Sequence, residues 1–245
     1  VSVIGTIQAF NEEDAITGAI ESLYAAGCDR VVVVDGAWGN PDGTLFGNAA
    51  THLSTDGTCE AARAAGAEYV EPEYPFWAGD KSKRDYLLTF GGPGDHLILL
   101  DADERLEGTI DEEACPAGHG CIVLHNDKPN DLAIRTPWLD RDVRASVPML
   151  RWFRWSPTLT CLSPGHYREN GKPIHVYLVE ALAAAADEMS PLELAALAAL
   201  RSIETKLPNK RLSILPIVQG IEIRHSVEAT TDRIAAKRIY YEAPE

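Results

Sequence analysis

The first hundred residues alternate apolar runs of strand length with segments whose apolar residues recur at helical spacing, and this alternation confines the chain to one architecture. Residues 1–9 read as a strand. The segment after Asn11 reads as a helix, because Ile16, Ile20, Leu23 and Tyr24 fall at helical spacing between a candidate cap at Asn11 and a stop at Gly27. Residues 30–34 form a second apolar run, ending at Asp35. A helix over 56–65, a strand over 68–70, a helix over 81–90 and a strong strand over 96–100 complete the series. The order β, α, β, α, β, α, β predicts an α/β fold with a parallel sheet and crossover helices.

Residues 36–53 break the pattern. They are rich in Gly, Asn and Pro, carry Trp38 and Phe46, and read as a long loop at a strand's carboxyl end, either a lid or binding loop or a plain insertion. Beyond Glu104 the periodicity weakens. Residues 121–124 and 149–155 read as strands, 191–205 as a helix, and 232–241 as a tail helix carrying Arg233, Lys237 and Arg238. A length of 245 residues suits one core, so a single domain over 1–245 is expected, with halves at 1–105 and 106–245.

Charge narrows the partners. Lysine and arginine total 22 against 37 acidic residues, a formal charge of -15 that repels nucleic-acid backbones and anionic lipid surfaces. No nucleic-acid partner is expected, whereas a small anionic ligand is compatible if a metal and local cations offset the field. No uninterrupted apolar run is long enough to cross a membrane, since the alanine-rich stretch over 178–200 is broken by Glu180, Asp187, Glu188, Pro191 and Glu193. Cysteines 28, 59, 115, 121 and 161 form an odd, dispersed set that reads as reduced thiols, and a cytoplasmic location is expected. Cys115, His119, Cys121 and His125 lie close enough to suggest zinc, but their spacing matches no familiar zinc knuckle. Free thiols are preferred, with a Cys115–Cys121 disulfide as the alternative.

In an open α/β sheet, ligands sit outside the carboxyl ends of the strands. Here those ends are acidic: Asn11-Glu12-Glu13 after the first strand, Asp35 after the second, and Asp101-Ala102-Asp103-Glu104 after the fourth. Clustered carboxylates suit a hard divalent cation that bridges them to substrate phosphates, although an isolated Asp-x-Asp also occurs as a plain solvated turn.

Four segments in order, Thr6-Ile-Gln-Ala-Phe-Asn-Glu-Glu13, Val31-Val-Val-Val-Asp35, Ser54-Thr-Asp-Gly-Thr58 and Leu99-Leu-Asp-Ala-Asp-Glu104, resemble the family 2 glycosyltransferases. These enzymes have the GT-A (nucleotide-diphospho-sugar transferase) fold, a mostly parallel central sheet flanked by helices. The likeness is greatest to the lipopolysaccharide-core and capsule-type sugar transferases; it covers roughly the first 105 residues well and the remainder loosely. It implies a metal-dependent inverting transferase of hexosyl type, moving a sugar from a UDP- or GDP-sugar to a hydroxyl of a glycan, lipid-linked or protein acceptor, with Mn2+ or Mg2+ as cofactor.

By that resemblance Gln8, Phe10, Glu13, Asp35, Asp56, Arg84 and Asp101 bind the donor, with Asp35 at the base and Asp101 at the ribose. Asp103 and His225 hold the metal. Glu169 and His166, behind the basic and aromatic segment Arg151-Trp-Phe-Arg-Trp155, are candidates for the general base that an inverting transfer requires, with Asp140 and Asp142 as further options. Arg233, Lys237 and Tyr240 are candidates to close over the diphosphate. Plainer roles stand beside these: Glu13 as a helix N-terminal charge, Asp56 and Ser54 as caps, His166 and His225 as structural histidines, and Lys81 and Lys83 on a solvated helix face.

Two departures from the family pattern bear on the site. Residues 36–53 separate Asp35 from the Ser54-Thr-Asp-Gly-Thr58 segment that normally follows it directly, which puts Asp56 in question and brings in Trp38 or Asp42 as substitutes. Asp85 stands where relatives carry Asn. Three other classes compete. A haloacid-dehalogenase-type phosphatase shares the Leu99–Glu104 pattern, but Arg105 replaces its Thr or Val and three strands precede it. A nucleotidyltransferase would carry a Gly-rich loop where Gln8-Ala-Phe-Asn11 stands, and a non-catalytic nucleotide-sugar-binding protein is the third alternative.

Overall fold

The computed structural model describes residues 1–39, 43–45, 49–77, 79–111, 119–126, 146–163, 166–170, 172–174 and 217–225. Among them, β1 (Val3–Gln8), β2 (Arg30–Val34), β3 (Glu68–Val70) and β4 (His96–Asp101) pair side by side and parallel in the order β3-β2-β1-β4. The helices α1 (Glu13–Ala26), α2 (Thr58–Ala64) and α3 (Asp80–Leu87) lie in the connections between them. The expected α/β architecture, with a parallel sheet at its centre and helices beside it, is therefore present.

Alternation along the strands explains why both faces of the sheet are covered. Val3, Ile7, Val31, Val33, Ile98 and Leu100 face Ile16, Ala19, Ile20 and Leu23 of α1. Ile4, Val32, Val34, Leu97 and Leu99 face the other way, onto Leu87 and Leu88, Phe153 and Tyr167. Helix α1 starts at an Glu12 cap rather than at Asn11, which takes a left-handed φ of 53° in the turn after β1, and it stops at Gly27 with a φ of 110°. The third expected helix is shorter, because a 3-10 turn at Leu88–Phe90 follows α3.

The second half adds strands to the same sheet. β5 (Glu104–Gly108), β6 (His119–Asn126), β7 (Ser146–Arg154) and β11 (Ile217–His225) continue it in the order β4-β7-β6-β11-β5. β7 is antiparallel to both β4 and β6, and β5 is antiparallel to β11, so this part of the sheet is mixed. The sheet therefore runs straight across the 105/106 divide expected from the sequence. β8 (Thr160–Ser163), β9 (His166–Glu169) and β10 (Lys172–Ile174) make a small antiparallel sheet, with β8 against α3. The helices expected over 191–205 and 232–241 lie outside the described residues. Among the described residues, no helix is long and apolar enough to cross a membrane.

Gly108 fixes the β5–β11 pairing. Its φ is 103°, and a Cβ there would stand 1.9 Å from the carbonyl oxygen of Gly220. Gly108→Ala combines a left-handed strain with a backbone clash, and is expected to cost about 2 kcal/mol or more, read as a lower urea midpoint with unchanged m-value.

Candidate nucleotide site at the strand exits

The chain leaves β1 to build β2 and β3 on one side and returns to place β4 on the other. β1 and β4 therefore flank the topological switch point of the parallel sheet, where open α/β sheets form their ligand crevice. Gln8 and Asp101 are the last residues of these two strands and are register partners. The Gln8 amide donates to Asp101 Oδ1 at 2.8 Å.

Two guanidinium groups meet the same carboxylate. Arg84 Nη2 lies 3.1 Å from Asp101 Oδ1 and Arg151 Nη2 lies 3.3 Å from Oδ2. Arg84 is anchored from its own helix by Asp80 at 2.8 Å, and Arg151 by Glu104 at 2.7 Å. Burial alone would raise the Asp101 pKa, but Arg84 and Arg151 hold it well below the usual carboxylate range. Glu104, only 1% exposed, goes the other way. Its burial, with the Asp101 and Asp103 charges beside it, outweighs the Arg151 attraction and pushes it up to about 8. Three carboxylates thus share two guanidinium groups, and the most enclosed acid is the one that most readily keeps a proton.

Arg151 was not singled out as a site residue from sequence. The available signal was a cation in the alternating strand Arg151-Trp-Phe-Arg-Trp155, where Arg151 and Phe153 share one face. Arg151 is 2% exposed, and among the described residues its Nε and Nη1 have no hydrogen-bond partner, so there part of its donor capacity stays unspent inside the cluster. Tyr167 was also missed. It is buried against Phe153 with ring centroids 4.5 Å apart, and burial raises its phenol to about 12 despite the nearby arginines.

The residues of the first and second exits lock to each other. Ser54 donates to both Asp35 oxygens, from N at 2.9 Å and from Oγ at 2.6 Å. The Asn11 amide donates to Ser54 Oγ at 2.8 Å, and the Asn11 side-chain oxygen accepts from the Thr55 amide at 2.9 Å. Asp56 accepts from the Glu13 amide at 3.1 Å and the Thr58 amide at 3.0 Å, while Glu13 accepts from the Gly57 amide at 3.1 Å. A Cβ at Gly57 would come within 2.4 Å of Glu13 Oε1, so this contact needs glycine. Asp56 is thus held in the latch, with its Oδ1 accepting from the first amide of α2, rather than being carried away by the insertion.

The 36–53 excursion ends where it begins. The Ala37 amide donates to the His52 carbonyl at 2.7 Å, which returns Ser54 to Asp35 as though the two were consecutive. Asp56 therefore stays beside Glu13 despite the intervening residues. An open cleft of about 900 Å3, with His52, Leu53, Ser54, Thr55, Pro75 and Trp77 in its lining, flanks the returned segment, and neither Asp101 nor Arg84 lines it. Trp38 bridges to Phe76; Asp42 lies outside the described residues. Phe10 is half-buried in the bend after β1.

Lys83, equally readable from sequence as a solvated residue, is 0% exposed. Lys81 keeps to the helix surface and pairs with Asp85 at 2.7 Å. Asp85, in place of the family's Asn, accepts a hydrogen bond from the Cys161 amide and so fastens α3 to β8.

The candidate bases Glu169 and His166 both lie on β9. Glu169 pairs with His119 at 3.3 Å, and His119 sits across the β6–β7 ladder from Phe153, which is opposite Leu97. Leu97 lies four residues before Asp101 on β4, about 13 Å at a strand's rise per residue, and Glu169 takes His119 rather than Arg84 or Arg151 as its ion-pair partner. His166 begins β9, in register with Ser163 of β8. His225 ends β11 in register with Glu104, one residue beyond Asp103, which puts its backbone beside the expected metal residue. Asp140, Asp142, Arg233, Lys237, Tyr240 and Cys115 lie outside the described residues.

A divalent ion at a nucleotide site usually takes one or two carboxylates and completes its shell from substrate phosphates and water. Asp103, 3% exposed at the β4 exit beside Asp101, fits that sparse role. Among the described residues no three His, Cys, Asp or Glu side chains gather into a site that would hold an ion without substrate oxygens.

No protein-family model matches the chain, and no curated protein matches it. Among solved structures, glucosyl-3-phosphoglycerate synthase from Mycobacterium tuberculosis, in complex with Mn2+, uridine diphosphate and glucosyl-3-phosphoglycerate, is 25% identical with a TM-score of 0.32; the match covers 42% of this chain and 34% of that one. The same synthase with Mn2+ and UDP-glucose gives the same figures, 25% and 0.32, over 42% and 34%. S. aureus TarS is 17% identical with a TM-score of 0.37, over 56% of this chain and 23% of that one. The chain thus spans about a third of the synthase's length, and likenesses this partial carry no conclusion about activity. The α/β fold stands on the chain's own sheet, parallel from β3 to β4.

Proposed function

We propose that the protein is a nucleotide-sugar-dependent glycosyltransferase whose donor occupies the crevice between the β1 and β4 exits. The observation that carries this reading is the meeting of Gln8, Arg84 and Arg151 on Asp101 at the switch point, beside the latch that joins Glu13, Asp35 and Asp56. All four sequence segments that resemble family 2 transferases are brought into that crevice and its rim.

In this reading Asp101, kept ionised by its arginines, accepts from the ribose hydroxyls, and the Asp35 region faces the base. Arg84 and Arg151 bring positive charge to the departing diphosphate. Asp103, with His225 as a further candidate, would hold Mn2+ or Mg2+, which when bound supplies Lewis-acid neutralisation of that diphosphate. Inversion by single displacement needs a base on the acceptor side. That role, assigned to Glu169 or His166, rests on the resemblance alone, as do the hexosyl specificity and the lipopolysaccharide-core or capsule branch.

A donor-hydrolysis screen over UDP- and GDP-sugars tests the reading. Turnover of one donor class that needs Mn2+ or Mg2+ and falls at least about 100-fold in Asp103→Ala is expected, equivalent to the ~3 kcal/mol typical of losing an electrostatic stabiliser of the transition state. An Asp103→Ala protein with the original metal-dependent rate would sink the assignment.

A further inference from the structure

Past Gln8 the β1–β2 ladder has one more main-chain rung, from the Ala9 amide to the Val34 carbonyl at 2.9 Å, and then the two chains part. The β1 side enters the Asn11 turn. The β2 side turns at Gly36, whose φ of 109° sends it into the insertion. At this fork Lys83 Nζ, arriving from α3, donates to the Ala9 carbonyl at 2.6 Å and to the Gly36 carbonyl at 2.5 Å, with the Phe76 ring 5.8 Å away.

We propose that Lys83 positions the nucleotide crevice: its amino group replaces the rung that the diverging strands cannot make, fixes the spacing between the Asn11–Glu13 turn and Asp35, and sets a positive charge among the acidic strand exits. This deepens the transferase reading and rests on it for the identity of the ligand.

A purely apolar side chain would fill the same space but leave two buried carbonyls without donors, which is why a lysine is retained at full burial cost. The position has a mechanical consequence. Lys83 and Arg84 are consecutive, so one helix holds the β1 and β2 exits with one residue and the β4 exit with the next. The carboxylates facing Lys83 come from every neighbouring element: Asp35 after β2, Glu12 before α1, Asp80 on its own helix and Asp101 at the end of β4. Burial outweighs their attraction and draws the ammonium down to about 7. A neutral amine still has two hydrogens for two carbonyls, so the tie survives deprotonation. What is lost is one positive charge in the crevice.

The test is calorimetric titration with UDP and Mn2+ from pH 6.5 to 8.5, on wild type and Lys83→Met, together with amide exchange of the ligand-free proteins at Asn11 and Ser54. Lys83→Met is expected to bind UDP at least tenfold more weakly at pH 6.5. That ratio should shrink several-fold by pH 8.5, since Lys83 titrates in the wild type only, whereas the titrations of the ligand and of Glu104 are common to both proteins and cancel. Exchange at Asn11 and Ser54 should quicken about tenfold, with Ile7 in the β1 core unchanged. A variant with lowered Tm but wild-type UDP affinity, a pH-independent ratio and unchanged exchange would overturn the proposal. If wild type takes no nucleoside diphosphate, the transferase reading fails, and the exchange data alone then support or overturn the spacing role. Should Lys83→Met not fold, Glu12→Gln serves: removing a facing carboxylate should move the wild-type affinity step to lower pH, and an unmoved step overturns the proposal.

Discussion

Replacing Arg151 by methionine is expected to remove about 3–5 kcal/mol of stability above pH 8, because there it strands the buried Glu104 carboxylate, and at every pH it frees one side of Asp101. The sign with pH is specific. Glu104 holds its proton in the fold to about 8, against an ordinary glutamate value of 4.5, so the folded state binds the extra proton between those values and its stabilising effect is lost as pH rises. Below pH 8 the acid is protonated with or without Arg151, and the variant loses the guanidinium's hydrogen bond to a neutral carboxyl, its pairing with Asp101 and packing. Above pH 8 only the wild type can ionise Glu104 beside a cation, so the deficit widens. Urea melts at pH 6, 7.5 and 9 measure this, and Glu104→Leu combined with Arg151→Met should recover part of the loss. A deficit that narrowed above pH 8 would contradict the pairing.

Asp101→Ala is expected to separate two kinds of anion. If Asp101 accepts from the ribose, its loss removes a hydrogen bond to a charged group, about 1.5–3 kcal/mol, and weakens UDP or GDP about 10- to 100-fold. The same change releases Arg84 and Arg151 from their shared partner, so inorganic pyrophosphate should bind as well as before or better. Parallel titrations of the nucleotide and pyrophosphate report the ratio. Equal weakening of both would place Asp101 in the architecture of the cluster rather than at the nucleoside.

The parallel half of the fold was legible because each strand and helix there carries its own periodicity, as in Ile16, Ile20 and Leu23 against Val31 and Val33. β5 was not, since Glu104-Arg-Leu-Glu-Gly108 has one apolar residue. Its burial depends on Arg151, some fifty residues away, donating to Glu104, and on Gly220 admitting Gly108. Short strands such as β8 and β9 likewise owe their existence to each other and to α3.

The same division runs through the site. The acidic exits at Asp35 and Asp101 could be read from strand ends, whereas the closure that returns Ser54 to Asp35 depends on a contact between Ala37 and His52 that no local pattern encodes. Lys83 is the sharpest case. In Lys81-Ser-Lys-Arg-Asp85 two lysines stand two positions apart on one helix; one is solvated and one is buried at a strand fork, and only the partners decide which.

The central claim is that the β1–β4 exit crevice recognises a nucleoside diphosphate. Thermal melting of the wild-type protein with UDP, GDP, ADP and CDP, each with and without Mn2+, and with pyrophosphate as control, tests it most directly. Ligand held 100-fold above its Kd stabilises by about 2.7 kcal/mol, enough for a shift of several degrees. The account predicts a shift of that size for one base with Mn2+, reduced in Asp101→Ala; equal shifts for every nucleotide and for pyrophosphate, or no shift with any of them, would contradict it.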